Sequence, residues 1–378
     1  MITGASSQMN KTSFTFATAL LRQNQLKRVS TKYMAARAPL SQKVSSRAAI
    51  AIQHHRETRS SVPREPQFDE HNSALLQESF RTSLPLPSLL DPGFEDALRH
   101  VLSNPGSMVR PKMVHRVGAA YNLDTDSAHN IAIALEYFHT ASLIFDDMPC
   151  MDNAIERRGA PCFHVEFGES TAILTALALI NRAYALIWRA VAACPQSGQR
   201  HVMTYIEKRL GVEGLLNGQS LDLHYSTLPH TRETTERIAR GKTVSLIRLT
   251  LVVPAMLGGA PAREIQLLER IAVCWGLGYQ TIDDLKDVLQ SANETGKTAA
   301  RDELLDRPNI ASAIGICGAV ERLERLMRIG DLTLHRLLLH RPALSFLSKL
   351  RSDLEGELRQ VTDSACEMAE EAVARERS

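Results

Sequence analysis

The chain has 378 residues, of which 44% are hydrophobic and 5% aromatic, and its formal net charge at pH 7 is +2. That length and apolar content suffice for a sizeable buried core, which excludes a wholly disordered protein. Residues 1–56 carry nine lysines and arginines and no acid, which leaves residues 57–378 at −7. An acidic body argues against a nucleic-acid-binding core. Leu, Ala, Arg and Glu are plentiful, so we predict an all-α protein.

The first segment, residues 1–80, is predicted to be an extension that precedes a catalytic domain at residues 81–378. Its basic, acid-poor start is rich in Ser, Thr and Ala, which is the composition of an organelle transit segment. A disordered tail, or a start codon placed too early, fits the same composition. We therefore predict a cytoplasmic protein, or a plastid or mitochondrial one if the extension is a transit peptide. The six cysteines form no Cys-x-x-Cys pair, which favours a reducing compartment.

From about Leu90 onward, apolar residues recur at helical spacing, and turn signals such as "NPGS" and "GGAP" separate the segments. We expect a single large bundle of about ten or more helices around a deep central cavity. The segments "STAILTALALI" and "KTVSLIRLTLVVPAML" are apolar nearly all round, which is typical of helices at the centre of a bundle. Asn181 and Arg182 interrupt the longest apolar stretch, so we expect no integral membrane span.

The stretch "LIFDDMPCMDNAIERRGAPCFH" contains the first group of residues that could do chemistry. Asp146 and Asp147 end an apolar helix, because Pro149 disfavours helical geometry in the residue before it. Asp152 then folds back toward them. Arg157 and Arg158 follow, and guanidinium groups bind phosphate oxygens directly. The segment therefore combines carboxylates with phosphate-binding cations.

A second acidic group, in "YQTIDDLKDV", places Asp283 and Asp287 four residues apart on one helix face. Carboxylates this close repel one another and raise one another's pKa unless a cation neutralises them. Hard oxygen ligands suit Mg²⁺, which takes one or two carboxylates and completes its shell with water and substrate phosphate. Two facing acidic groups would thus hold a diphosphate through bridging magnesium ions.

These segments resemble the two aspartate-rich motifs of the trans-prenyl diphosphate synthases, especially the short-chain farnesyl and geranylgeranyl diphosphate synthases. The likeness runs from about Leu90 to about residue 310, and three further blocks, "EGLLNGQSLDL", "GKTVSLI" and "TGKTAARDE", match in the same order. The resemblance implies a helical isoprenoid synthase fold, a homodimer, and two or three Mg²⁺ ions. It also implies an activity in which an allylic diphosphate ionises and isopentenyl diphosphate attacks the carbocation.

The resemblance also assigns roles to particular residues. The metal ligands that it implies are Asp146, Asp147, Asp152, Asp283 and Asp287. The contacts to the allylic diphosphate are Arg157, Lys242, Thr243, Gln280 and Lys297, with Arg307 at a place where the family usually has lysine. The contacts to isopentenyl diphosphate are Arg110, His139 and Arg158. The catalytic residues that it implies are four aspartates and one lysine: Asp146, Asp147, Asp152, Asp283 and Lys242.

Two further positions bear on the product. The family places a bulky aromatic residue four or five positions before the first aspartate to block the growing chain, and this chain has Ser142 and Ala141 there. Small side chains permit a longer product, so we predict geranylgeranyl diphosphate (C20) over C15. The family's Gly-Lys-Arg-x-Arg-Pro block reads "GSMVRP", so Ser107 and Met108 replace two basic residues. That departure predicts weaker binding of isopentenyl diphosphate.

Two alternatives keep the same motifs. A terpene cyclase-like enzyme would ionise a finished prenyl diphosphate without isopentenyl diphosphate, and the change at Ser107 and Met108 favours it slightly. A non-catalytic subunit would bind a true synthase and alter its product, although intact aspartates in both groups argue against it.

Overall fold

The computed structural model describes residues 70–293 and 307–361, and within them almost all regular structure is helical, as predicted. Two short strands, β1 (Glu156–Arg157) and β2 (Ala160–Pro161), pair antiparallel. Residues 347–361 are also helical. The helices with defined bounds are, in chain order, α1 (Glu70–Thr82), α2 (Pro92–Ser103), α3 (Val109–Ala120), α4 (Thr125–Asp146), α5 (Phe163–Phe167), α6 (Glu169–Ala192), α7 (Gln196–Leu210), α8 (Leu215–Leu223), α9 (Arg232–Leu257), α10 (Ala262–Asn293) and α11 (Ile310–His340).

Side-chain caps fix where several of these helices begin. Asp91 precedes α2 and accepts a hydrogen bond from the backbone N–H of Phe94. Asp124 caps α4 through Ser127 N at 2.8 Å, and Asn309 caps α11 in the same way. Each cap satisfies a backbone donor that the first helical turn leaves without a partner. These starts are therefore specified by the local sequence.

Helix α1 spans the predicted domain boundary at residue 80. Phe80 is fully buried, its carbonyl accepts a 2.6 Å hydrogen bond from the Tyr137 hydroxyl, and the two rings meet edge to face at 4.9 Å. Arg182 donates from Nε to the Ser83 carbonyl at 2.5 Å. The packed helical body thus includes residues from 70 onward. Residues 1–69 lie outside the described ranges, and their role as an extension stays a prediction.

Helix α9 lies at the centre of the bundle, as its apolar sequence predicted. One side of it packs with α3, α10 and α11, and the other side packs with α1 to α4, α6 and α7. The first side contributes Val244, Leu251, Val252 and Ala255. The second side contributes Leu246, Leu249, Val253 and Leu257. Because α9 is largely buried on both sides from Val244 onward, Lys242 and Thr243, which directly precede that stretch, are held in place at the middle of the protein.

Helix α6 was predicted to be central as well, and for one of its faces that prediction was wrong. Leu179 and Ala183 are buried against the bundle, but five large apolar side chains are 40–57% exposed. These are Ile173, Leu174, Leu177, Tyr184 and Trp188, and we call them the α6 face. By length and composition, α6 is the one helix in the described ranges that could cross a membrane. Its buried face and the Arg182 hydrogen bond identify it instead as a helix of the bundle.

Candidate active site

The first acidic group forms a tight turn at the end of α4. The backbone N–H of Asp152 donates to the carbonyl of Asp146 at 3.0 Å, so the chain folds back as predicted. Asp147 is buried and accepts three guanidinium hydrogen bonds from Arg157, at 3.0, 2.8 and 2.7 Å. The hydrogen bond to Asp147 is also the main reason that the pKa of Arg157 is raised. Asp147 thus orients Arg157, and Asp146 and Asp152 are left to face the interior.

Asp146 faces a lysine from the central helix. The Lys242 ammonium lies 3.9 Å from a carboxylate oxygen of Asp146 and 2.9 Å from Oδ2 of Asp222. Burial raises the pKa of Asp146, while Lys242 lowers it and Asp152 raises it again. Burial opposes the charge of Lys242, but Asp146 and Asp222 outweigh it and raise the pKa of the ammonium. The cation is therefore held in its charged form among three carboxylates.

Arg307 connects the far end of the chain to the first acidic group. Its Nη2 donates to Asp152 Oδ1 at 2.5 Å and to the Met151 carbonyl at 3.2 Å, and its Nη1 lies 3.5 Å from Asp222 Oδ2. Only 11% of the side chain is exposed. A lysine, with a single ammonium, could not span these partners in the same geometry. The arginine that departs from the family pattern is therefore built into the site.

The three aspartates of the second acidic group differ in burial and in hydrogen bonding. Asp283 is half-buried and Asp287 is exposed, whereas Asp284 is almost fully buried. Asp284 accepts hydrogen bonds from Gln280 Nε2 at 2.9 Å and from the backbone N–H of Ile310 at 2.7 Å. Asp284 is thus committed to joining α10 to the start of α11, and Asp283 and Asp287 remain the candidates for metal.

One cavity of about 200 Å³ is lined by Asp152 of the first acidic group and by Asp284 of the second, whereas Asp146, Asp283 and Asp287 are not among its lining residues. The Thr243 hydroxyl donates to Gln280 Oε1 at 2.7 Å across its wall and so links α9 to α10. Lys297, predicted to contact the allylic diphosphate, lies outside the described residues. The lining consists of Asp152, Asp222, Thr235, Ile238, Ala239, Lys242, Thr243, Gln280, Asp284, Arg307 and Pro308. Five residues predicted from sequence thus meet at one cavity: Asp152, Lys242, Thr243, Gln280 and Arg307.

The residues predicted for isopentenyl diphosphate gather around a buried acid, Glu136. Arg110 Nη1 lies 4.0 Å from Glu136 Oε2, and Arg110 and Arg158 both lower the pKa of Glu136 against the larger raising effect of its burial. Burial, aided by these arginines, lowers the pKa of His139 to about 3. His139 is therefore neutral at physiological pH and able to donate or accept a hydrogen bond without carrying charge.

The two departures in "GSMVRP" have different surroundings. Ser107 is exposed just before α3, whereas the Met108 side chain is fully buried in the hydrophobic cluster of α1 to α4. Met108 also adopts a left-handed backbone conformation, with φ of 54°. Only position 107 is therefore open to a charged side chain in this backbone.

The small residues predicted to set product length lie one turn before Asp146 on α4. Ala141 is fully buried, and the half-buried Ser142 donates its hydroxyl to the His139 carbonyl at 2.8 Å. One turn deeper, Phe138 meets Tyr184 of α6 edge to face, with ring centroids 5.1 Å apart. Phe138 and the partly exposed Tyr184 thus form an aromatic pair about two turns before Asp146.

Three buried acids near the predicted site residues were given no role by the sequence prediction: Asp222, Asp284 and Glu136. Asp284 lies inside the second acidic group, but its sequence does not show that it has a different role from Asp283 and Asp287. For Asp222 and Glu136 the available signal was weak, namely a single acid in an otherwise apolar helix, as in "LLNGQSLDL". Their partners come from segments far away in sequence, so their roles depended on the fold.

The donor set fits magnesium. The candidate ligands are carboxylate oxygens, which are the hard donors that Mg²⁺ prefers. Among the residues that the structure describes, no three acidic, histidine or cysteine side chains converge closely enough to enclose a cation. Mg²⁺ in proteins is commonly bound by one or two carboxylates, with water and substrate phosphate completing its shell.

Comparisons with known proteins identify the family of the chain. A family model described as polyprenyl synthetase matches residues 91–324. Geranylgeranyl pyrophosphate synthase 3, chloroplastic, of Arabidopsis thaliana is 33% identical over 287 residues, covering 71% of this chain and 79% of that protein. Geranylgeranyl pyrophosphate synthase 10, mitochondrial, of the same plant is 36% identical over 235 residues, covering 61% and 68%. The structure of a Helicobacter pylori geranyltransferase complexed with magnesium and isoprenyl diphosphate aligns with a TM-score of 0.64 and 25% identity, over 81% of this chain and all of that one.

Proposed function

Because the chain belongs to the polyprenyl synthetase family, we propose that it is a prenyltransferase that adds isopentenyl diphosphate to an allylic diphosphate and releases geranylgeranyl diphosphate. The observation that carries this proposal is the cavity in which Asp152, Lys242, Gln280 and Arg307 meet. It combines carboxylates for a metal with cations for a diphosphate. The same-named relatives in Arabidopsis thaliana support the C20 product.

The allylic diphosphate would bind at this cavity. Lys242 and Arg307 already approach the carboxylates on which the metal would bind, so both cations lie where a metal-bound diphosphate would need them. Arg157, Thr243, Gln280 and Lys297 complete the proposed set of contacts. Charged hydrogen bonds from such groups stabilise the negative charge that develops on the leaving diphosphate.

Asp146 and Asp152 on one side, with Asp283 and Asp287 on the other, would hold two or three Mg²⁺ ions, and Asp147 would support them by fixing Arg157. When bound, magnesium neutralises diphosphate charge and so eases ionisation of the allylic carbon–oxygen bond. The magnesium in the Helicobacter pylori structure supports this choice of metal. The protein's own side chains orient the diphosphate and shield the carbocation from water. No protein nucleophile is needed.

Isopentenyl diphosphate would bind beside Arg110, Arg158 and His139. The neutral His139 would add a hydrogen bond without adding charge, and the two arginines would supply the electrostatic attraction. Attack of the isopentenyl π-bond on the allylic carbocation forms the new carbon–carbon bond. The departing diphosphate is the acceptor for the proton that is then lost. The small Ala141 and Ser142 would leave room for the growing chain down to Phe138.

The α6 face supports a homodimer. Ile173, Leu177, Tyr184 and Trp188 follow one another at spacings of four, seven and four residues, so they form one stripe along the helix. Aromatic residues are enriched in the cores of protein interfaces, and a patch of this kind on a soluble protein marks an interaction site. A second copy of the chain would bury the stripe. Sedimentation of Trp188→Glu should give a smaller particle than the native protein.

For localisation, the basic segment 1–56 and the chloroplastic and mitochondrial relatives support an organelle over the cytoplasm. Fusion of residues 1–69 to a fluorescent protein would test this. Accumulation of the fusion in plastids or mitochondria is expected, and a diffuse cytoplasmic signal would contradict it.

A single assay tests the proposed reaction. Purified protein would be incubated with Mg²⁺, farnesyl diphosphate and radiolabelled isopentenyl diphosphate. We expect a labelled C20 diphosphate. A hydrocarbon made from farnesyl diphosphate alone would contradict the proposal in favour of a cyclase. Activity only after a partner synthase is added would contradict it in favour of a non-catalytic subunit.

A further inference from the structure

Asp222 lies at the cavity because α8 and α9 pack backbone against backbone. A Cβ atom on Gly218 would lie 2.5 Å from the backbone nitrogen of Lys242, and one on Gly241 would lie 2.7 Å from the Cα of Gly218. Neither position has room for a side chain. Asp222 follows Gly218 by one helical turn, and Lys242 follows Gly241 directly. The glycine contact therefore sets the register that brings the Asp222 carboxylate to the Lys242 ammonium.

Asp222 holds two cations that come from different parts of the chain. Its Oδ2 accepts from Lys242 Nζ at 2.9 Å and lies 3.5 Å from Arg307 Nη1. The residue is only 6% exposed. A buried carboxylate is stable in such a place because it is paired with cations. Asp222 belongs to neither aspartate-rich motif and is not among the proposed metal ligands.

Arg307 is shared between two carboxylates, Asp152 and Asp222. If Asp152 takes a metal, its oxygens become weaker acceptors for the guanidinium, since the cation draws on the same lone pairs. Arg307 then has one carboxylate partner left beside the cavity. That remaining partner would keep the guanidinium facing the diphosphate instead of letting it turn away into solvent.

We propose that Asp222 is a positioning residue of the diphosphate site, which holds Lys242 and Arg307 toward the cavity when Asp152 is engaged by metal and substrate. This inference rests on the proposed function. The inference predicts different effects on the two substrates, because in the described part of the chain no recorded contact joins Asp222 to Arg110 or Arg158, the arginines proposed to bind isopentenyl diphosphate. Loss of the Asp222 charge should therefore weaken binding of the allylic diphosphate and leave binding of isopentenyl diphosphate unchanged.

The test measures binding of inorganic pyrophosphate in the presence of Mg²⁺ by calorimetry, together with the KM of each substrate. Wild-type protein that binds no magnesium pyrophosphate would refute the proposed function itself. If the wild type binds, Asp222→Asn should weaken binding by about tenfold or more, as expected for a misplaced charged hydrogen bond. The KM of the allylic substrate should rise and that of isopentenyl diphosphate should not. Unchanged pyrophosphate binding, or an equal rise in both KM values, would overturn the inference.

A double variant tests whether Asp222 acts through Arg307. Asp222→Asn and Arg307→Met together should lose less binding than the product of the two separate losses, because the two residues act as one unit. Losses that multiply would overturn the inference. Should Asp222→Asn fail to fold, Asp222→Glu keeps the charge one methylene further out. A folded Glu variant is expected to bind pyrophosphate more weakly, and native affinity would count against the proposal.

The matched control is Glu264→Gln on α10. Glu264 is 7% exposed and paired with Arg341 at 3.1 Å, so it resembles Asp222 in burial and pairing, but it does not line the cavity. This variant should lower thermal stability and leave pyrophosphate binding unchanged. Comparable loss of binding in both variants would mean that Asp222 has only a structural role, and the proposal would fall.

Discussion

Restoring a lysine at position 107 should strengthen the binding of isopentenyl diphosphate. Ser107 is exposed just before α3, three residues before Arg110, so we expect an ammonium on a longer side chain at this position to reach the same substrate. A charged hydrogen bond contributes about 1.5–3 kcal/mol, and ordering a lysine side chain costs up to about 2 kcal/mol of that. The net gain is about 1 kcal/mol, which corresponds to roughly fivefold. We therefore expect Ser107→Lys to lower the KM for isopentenyl diphosphate about fivefold.

The assay is steady-state condensation at saturating allylic diphosphate, repeated at low and high salt. The gain should shrink with salt, because an exposed charge is screened. Met108→Lys is the matched control, one residue along: its side chain would enter the hydrophobic cluster, so we expect lower thermal stability and no gain in KM. Two results with a folded Ser107→Lys enzyme would refute the placement of the isopentenyl diphosphate site beside Arg110. One is an unchanged KM for isopentenyl diphosphate, and the other is an equal fall in the KM of both substrates.

Three further changes test other parts of the account. Ala141→Tyr should shorten the product from C20 to C15, measured by chromatography with allylic substrate in excess. An unchanged product would show that position 141 on α4 does not limit the length of the prenyl product. Deleting residues 1–69 should leave the melting temperature unchanged, whereas deleting 1–80 removes Phe80 and should lower it sharply; equal stability of the two would contradict the packing of α1. Burial, and then His129, lowers the pKa of His115 to about 4. The unfolded chain therefore binds more protons, and native stability should fall from pH 6.5 toward pH 4. His115→Gln should flatten that dependence by about 1–3 kcal/mol, and an unaltered slope in urea titrations would contradict it.

Local signals predicted much of the fold. Pro149 and the apolar run before Asp146 predicted where α4 ends, and the all-round apolar sequence of α9 predicted its central position. Both depend on short-range effects: the steric restriction before proline and the burial of apolar surface. The convergence of Lys242 and Gln280 on one cavity followed from the resemblance, since neither spacing nor periodicity joins residues so far apart.

The exposed face of α6 was not predictable from its sequence. Hydrophobic periodicity reports that a face avoids water, and it does not tell whether the covering surface comes from the same chain or another. Leu177 and Leu179 look alike in sequence, yet one is half exposed and the other fully buried. The difference depends on where α4 lies, which is a property of the tertiary structure.

Asp222 and Asp284 show why the site was only partly predicted. A group of acids at metal-ligand spacing stands out in a sequence, but a single acid such as Asp222 does not, and the sequence does not show which member of a group, such as Asp284, has a structural role. The role of Asp284 depends on the backbone N–H of Ile310, and that of Asp222 on the contact between Gly218 and Gly241. These contacts join segments that are remote in sequence, so only the folded chain reveals them.

The central claim is that two acidic groups hold one diphosphate between them. Its most direct test is a crystal structure of the protein with Mn²⁺ in place of Mg²⁺ and an unreactive thio analogue of farnesyl diphosphate. We predict anomalous density for metal ions bound to Asp146 and Asp152 on one side and to Asp283 on the other, joined by the same diphosphate. Metal on one side alone, or a diphosphate bound away from Lys242, would contradict the account.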